Sequence, residues 1–248
     1  MRVGLMIPCY IDMFYPEVGI ATLELLEKLG ADVDYPFDQT CCGQPMANSG
    51  AQAEARATEE LFVNNFAAYD HIVAPSGSCV HHIRNNFTAA VDSPERRHVS
   101  ARVHDLPEFL HDVLKVKDFP WAEFPHEVAL HVSCSAIRGL GEQAMSERPN
   151  DPFFSKPRSL LEKVKGLTLA DFSRPDECCG FGGTFAVTDE AVSASMGNDK
   201  LERLGATGAR YVISGDMSCL MHLQGCAHRN REDFHFLHLA QVLNGSAR

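Results

Sequence analysis

The tripeptide Cys-Cys-Gly occurs twice in this chain, at Cys41-Cys42-Gly43 and at Cys178-Cys179-Gly180. Each copy lies between two lone cysteines, so the first half reads Cys9, Cys41, Cys42, Cys79 and the second reads Cys134, Cys178, Cys179, Cys219. Of nine cysteines only Cys226 falls outside these sets. Whatever fold the chain adopts must therefore gather four thiols twice, from segments far apart in sequence. Two thiolate quartets point to soft-metal chemistry, with iron–sulfur as the first candidate.

The flanking residues repeat as well. Val3-Gly-Leu-Met-Ile-Pro-Cys9 matches Val128-Ala-Leu-His-Val-Ser-Cys134, each a short apolar run ending in cysteine. His71-Ile-Val-Ala-Pro-Ser-Gly-Ser-Cys79 matches Tyr211-Val-Ile-Ser-Gly-Asp-Met-Ser-Cys219. The segments keep their order in both halves, which marks a duplication. Apolar runs of strand length alternate with longer helical patterns. Strands are expected at Val3–Ile7, Asp32–Tyr35 and Ile72–Ala74, and helices at Glu17–Leu29, Ala51–Tyr69 and from Val80 onward. Gly30 is placed to stop the first helix. Apolar helical patterns over Leu106–Leu114 and Phe234–Leu243 close the halves. A longer insert separates Cys134 from Cys178; it holds a proline-rich patch (Pro149, Pro152, Pro157) and a helix near Leu160–Val164.

Alternating strands and helices predict an α/β fold of two tandem pseudo-repeat domains, each a small parallel sheet flanked by helices. The expected division is 1–120 and 121–248, near the only tryptophan, Trp121. In such sheets the strand C-termini share one edge, where ligands bind. Every quartet cysteine follows a predicted strand, so each quartet can converge there. Helix N-termini at that edge favour thiolate over thiol.

Composition narrows the function. At 45% hydrophobic residues the chain supports a core, and a net charge of -11 argues against nucleic acid as a partner. No apolar stretch reaches the roughly 20 residues of a membrane span, and the start reads as a buried strand rather than a secretory signal. The expected location is the cytoplasm, with any membrane association peripheral and through a partner. Clustered cysteines in that setting suggest metal or redox chemistry over structural disulfides.

Structural zinc is the competing metal. Its sites usually draw on Cys-x-x-Cys knuckles, which are absent here, so adjacent cysteines fit one multi-iron cluster better. Gly43 and Gly180 suit a tight bend beside the metal, with backbone N–H groups aimed at sulfur. Gly180-Phe-Gly-Gly183 could also cradle a phosphate, on weaker grounds. His82 and His222 each follow the last quartet cysteine by three residues, on its helix face. Either could be a cluster ligand or a donor to sulfur. Cys226 reads as a buried apolar thiol.

The pattern resembles the cysteine-rich CCG-domain family, which includes a subunit of heterodisulfide reductase. "GLMIPCYIDMFYPEVGIATLELLEKLG", "FDQTCCGQPMANSG", "APSGSCVHHIR" and "ECCGFGGTFAV" resemble in particular its stand-alone lactate-utilisation members. That resemblance spans the chain. It implies a subunit carrying one or two clusters, of [4Fe-4S] type, within a complex that oxidises L-lactate or a related 2-hydroxy acid to its keto acid. The implied partners are the other subunits of that complex, and this chain would move electrons without itself performing the oxidation. The heterodisulfide reductase relatives end each motif in Cys-x-x-Cys, whereas His82 and His222 stand at those places here. The alternatives are a cluster-based disulfide reductase subunit and a zinc-stabilised structural subunit, with zinc in one site.

Overall fold

Val3 and Leu5 project from one face of the first strand and Met6 from the other, and all are fully buried. A strand buried on both faces needs helices on both, the arrangement of a parallel sheet. The computed structural model describes residues 1–87, 90–148 and 150–247. Pro149 of the proline-rich patch lies outside the described residues; Pro157 opens a helix.

The first half runs β1 (Arg2–Leu5), α1 (Cys9–Phe14), α2 (Pro16–Lys28), β2 (Asp32–Asp34), α3 (Gln44–Asn48), α4 (Gln52–Phe66), β3 (His71–Ala74), α5 (Gly77–Asn85), α6 (Pro94–Arg102), β4 (Val103–Asp105) and α7 (Leu106–Glu108), which continues as a π-helical turn over Phe109–Val113. The second runs β5 (Glu127–His131), a π-helical turn over Ser135–Gly139, α8 (Lys156–Leu161), β6 (Thr168–Ala170), α9 (Phe185–Thr188), α10 (Glu190–Gly205), β7 (Tyr211–Ser214), α11 (Met217–Asn230), β8 (His235–His238) and α12 (Leu239–Asn244). Both sheets have four parallel strands, in the orders β2-β1-β3-β4 and β6-β5-β7-β8. The α/β fold of two similar halves is thus as the sequence predicts.

Local chemistry explains the boundaries. Pro16 opens α2 and Glu17 favours its N-terminus. Gly30, at φ +81°, ends it: Gly30 N–H donates to Glu27 O and Ala31 N–H to Leu26 O. This is a Schellman stop, which needs a left-handed residue.

Three expectations need correction. Each sheet has a fourth strand, β4 or β8, that the sequence reading lacks. The Phe234–Leu243 pattern is helical only from Leu239, since His235–His238 pair in parallel with β7. The run Phe-Leu-His-Leu carries no clear period of its own, so pairing rather than pattern makes it a strand. The insert's helix, expected near Leu160–Val164, begins earlier, at Lys156.

The halves exchange their closing helices. α12 packs on α2 of the first half, while α7 packs on α8 of the second. Lys28 Nζ donates to Asn244 O and Oδ1 at 2.8 and 2.7 Å, and Trp121 Nε1 donates to Leu243 O at 3.0 Å. One core accordingly runs through both halves, from Val3, Leu5 and Leu25 to Val128, Leu220 and Leu243. A second core, with Met6, Phe62, Phe66 and Ile83, belongs to the first half.

Arg84 on α5 donates to Val103 O and forks onto both Glu108 oxygens, tying α5 to the β4 edge. Burial alone would raise Glu108, but hydrogen bonds with His104 and Arg84 outweigh it and hold the carboxyl at about 2. A depressed carboxylate stabilises the fold fully above its unfolded value and loses that stabilisation as pH falls through the folded one. Glu108→Gln should therefore cost about 1–3 kcal/mol near neutral pH, less as pH drops below ~4. Urea titrations at pH 7 and pH 3 check this; an equal loss at both would refute the assignment.

Candidate metal centres

The β1–β3 boundary is where the first sheet reverses its winding, and β5–β7 is its counterpart. Chain ends splay apart there and leave a crevice. Cys9 opens α1 just past β1, and Cys79 sits in the first turn of α5 past β3. Cys134 and Cys219 hold the matching places past β5 and β7. The Cys-Cys-Gly loops follow the neighbouring strands β2 and β6.

The thiols of each quartet meet. Cys134 Sγ lies 3.9 Å from Cys178 Sγ, and Cys178 and Cys219 each touch Cys179. In the first half the contacts are Cys9 with Cys41, Cys41 with Cys42, and Cys42 with Cys79. Cys42, Cys79, Cys179 and Cys219 are buried, whereas Cys9 is exposed. Gly43 and Gly180, at φ +87° and +92°, turn the backbone so that their N–H groups donate to Cys41 Sγ and Cys178 Sγ, each at 3.4 Å. Phe181 N–H donates to Cys179 Sγ at 3.5 Å.

These contacts divide the protons unevenly. Hydrogen bonds from Cys42 and Cys9, then the Gly43 N–H, hold Cys41 far below a free thiol. Cys134, Cys179 and the Gly180 N–H do the same for Cys178. The donors Cys9, Cys42, Cys134 and Cys179 are pushed up by those same hydrogen bonds and by burial. Cys41 and Cys178 are thus the thiols of their quartets most favoured as thiolate, and a bound cation would favour thiolate at its other sulfur ligands as well.

His82 and His222 lie near their quartets and differ from each other. His82 is 1% exposed, and neither ring nitrogen has a hydrogen-bond partner among the described residues. Glu59 Oε1 stands 3.9 Å from its Nε2, and burial holds His82 down at about 4. His222 is half-buried, with Nε2 3.2 Å from Ser193 O and 3.9 Å from Cys226 Sγ. Cys226 is half-buried as well, rather than the buried thiol the sequence suggests.

The sequence reading missed His131. It ends β5, is fully buried, and neither ring nitrogen has a hydrogen-bond partner among the described residues. Single donor atoms of His131, Cys179 and Cys219 all lie within 4.8 Å of one another. Burial is the main cause that holds its ring down at about 3, hence neutral. Its aligned position in the first half is Met6, so the repeat shows His131 as a histidine inside an otherwise apolar run.

A second replacement accompanies it. α4 buries Ala55, Glu59, Phe62, Val63 and Phe66, and α10 buries Ser193, Gly197, Lys200, Leu201 and Leu204 at the same spacing. Lys200 thus stands where the first half has Phe62, and Gly197 where it has Glu59. Lys200 is fully buried, donates to Pro175 O at 3.0 Å and lies 4.8 Å over the Phe172 ring. Burial pushes it down to about 8, opposed by Glu177 and by the Cys179 and Cys219 thiols.

A polar junction joins the two sites. The Asp216 carboxylate accepts Ser78 N–H at 3.0 Å and Ser218 N–H at 3.2 Å, bridging the N-terminal turns of α5 and α11. A carboxylate is stabilised at helix N-termini. The Tyr10 hydroxyl lies 3.3 Å from Ser76 Oγ and 3.4 Å from Asp216 Oδ1. Burial, then Asp216 and thiols from both quartets, holds the Tyr10 phenol well above its ordinary value.

The cysteine-rich domain CCG matches residues 3–84 and again 128–224. Over 248 residues the chain is 38% identical to Lactate utilization protein A of Geobacillus thermodenitrificans, covering 98% of this chain and 99% of that one. Over 252 residues it is 38% identical to the protein of the same name from Halalkalibacterium halodurans, covering 100% and 98%. A solved glutamate racemase from Bacillus anthracis overlays at a TM-score of 0.37 and 12% identity, over 98% of this chain and 78% of that one, too slight a likeness to bear on function. Matched once in each half, and aligned end to end with such relatives, the chain belongs to the cysteine-rich CCG-domain family.

Proposed function

We propose that this chain is an iron–sulfur electron carrier within a complex that oxidises L-lactate or a related 2-hydroxy acid. The observation that carries this reading is the convergence of four thiols, twice, in a chain that aligns throughout with lactate utilization proteins. The donor set fits the group. Sulfur donors dominate, neighbouring groups hold one thiol of each quartet low, and backbone N–H groups already point at sulfur. Cys9, Cys41, Cys42 and Cys79 would hold one centre, and Cys134, Cys178, Cys179 and Cys219 the other. A bound [4Fe-4S] cluster would supply one-electron redox chemistry.

The protein's part is to position and insulate. The N–H groups of Gly43, Gly180 and Phe181 stabilise negative charge on sulfur and so favour the reduced state. Buried Cys42, Cys79, Cys179 and Cys219 keep water from one side of each centre, and exposed Cys9 marks where a partner would approach the first. Other subunits of the complex would take the electron pair from the hydroxy acid and pass on single electrons. Among the described residues no helix is long and apolar enough to cross a membrane, so membrane contact would come through a partner.

Zinc in the second half is the competing reading, favoured by the buried His131, Cys179 and Cys219 group. Anaerobic reconstitution separates the two. Iron and acid-labile sulfide in near-equal amounts, with a spectrum bleached by dithionite, are expected. Stoichiometric zinc without sulfide, persisting after reconstitution, would overturn the electron-carrier reading.

A further inference from the structure

We propose that His131 is a metal ligand, so that the second-half centre is held by imidazole as well as thiolate. The inference rests on the metal-binding reading above and goes beyond the cysteine quartets. A histidine with no exposure and, among the described residues, two unpartnered ring nitrogens is a costly thing to bury. Metal coordination removes that cost at one nitrogen. The ring stands at the C-terminal end of β5, on the sheet edge that gathers the thiols, and shares a 4.8 Å sphere with Cys179 and Cys219. A strand fixes its backbone far more firmly than a loop would, and ligation requires such fixing.

The first half gives the contrast within one molecule. Met6 occupies the aligned position of His131 and packs in an apolar core with Phe62 and Phe66. Fully buried Met6 shows that an apolar side chain satisfies this position when the fold is the only demand. The second half carries histidine there, and a buried ammonium, Lys200, replaces Phe62 behind it. Core packing alone accounts for neither change.

The consequence is two unlike centres. Where His131 takes an iron that one of the four thiols would otherwise hold, a neutral imidazole stands in place of a thiolate and raises the cluster's reduction potential, as it does where histidines replace cysteines on one iron. The Lys200 ammonium acts in the same direction by favouring the extra electron. The first half has apolar Phe62 where Lys200 stands, so no buried ammonium occupies that place there. The second centre is therefore the one reduced first.

The test uses the full chain carrying Cys42→Ser, reconstituted anaerobically with ferrous iron and sulfide so that only the second centre loads. Pulsed electron paramagnetic resonance of the dithionite-reduced protein should show directly coordinated imidazole nitrogen. Adding His131→Met, the residue its counterpart already has, should abolish that coupling and lower the potential. Coupling that is absent, or that survives His131→Met, overturns the proposal and in the latter case points to His222. Should the double variant fail to fold, X-ray absorption at the metal edge of the chain carrying Cys42→Ser with His222→Ala decides. A nitrogen scatterer at roughly 2.0 Å supports ligation, and an all-sulfur shell overturns it. A chain that takes up zinc but no iron defeats the electron-carrier reading by itself, while its zinc-edge spectrum still decides the role of His131.

Discussion

Cys42→Ser should empty the first-half centre and leave the second loaded, and Cys179→Ser should do the reverse. Each quartet draws its thiols from the strand ends of one sheet, and no thiol contact links one quartet with the other among the described residues. Serine replaces a soft sulfur with a hard, poorly acidic oxygen, so the ligand is lost although its shape is kept. Cys42 touches both Cys41 and Cys79 and is 3% exposed, so it sits at the middle of its set. The fold should survive, since the change buries one hydroxyl at a cost of about 1–3 kcal/mol. Iron and sulfide counts on anaerobically reconstituted variants read the result directly. Loss of metal from both halves after either single change would mean that the two quartets form one site.

Gly180→Ala should be far more damaging than Gly43→Ala. Both glycines have positive φ, at +92° and +87°, and a β-carbon there costs about 1–2 kcal/mol by backbone strain alone. The surroundings then separate them. At Gly43 the added carbon would come no closer than 3.5 Å to a neighbour, Glu59 Cγ. At Gly180 it would fall 2.5 Å from Ser193 O and 2.7 Å from Met196 Cβ, against the backbone of α10. That helix cannot yield locally, because Lys200 and Leu204 lock its buried face. Strain and overpacking together should cost about 2–5 kcal/mol. The same push would displace Cys178 and Cys179 from Cys134 and Cys219. The expected outcome is a large fall in unfolding midpoint and loss of the second centre for Gly180→Ala, against a modest fall with both centres kept for Gly43→Ala. Equal effects would show that backbone conformation, and not the approach of α10, sets the need for glycine.

Much of the candidate site could be read in the chain because it is written twice. Repetition of Cys-Cys-Gly fixed attention on two equivalent quartets, and apolar runs before Cys9, Cys79, Cys134 and Cys219 placed them at strand ends. Gly30, Pro16 and the apolar face of α2 carried local signals strong enough to mark a helix. His131 was less visible. Sequence spacing drew attention to His82 and His222, which share an offset from a cysteine. His131 has no such partner, and what sets it apart is its place within 4.8 Å of the Cys179 and Cys219 thiols, which only the fold brings about. Lys200 was hidden for the same reason, as a lysine in a charged helix is ordinarily solvated.

By itself the sequence determined the duplication, the α/β alternation and the two sets of thiols that the halves must gather, since these follow from residue type and local period. Only the tertiary structure decided which residues stand behind the thiols. Strands β4 and β8 exist because an existing edge pairs with them; α12 lies on α2 because the shared core has room for it there. The contrast of Met6 and Phe62 with His131 and Lys200 becomes chemical only once the parallel register and the α4 and α10 faces bring each pair to the same depth. Burial depends on every neighbour at once, and no short stretch of sequence encodes it.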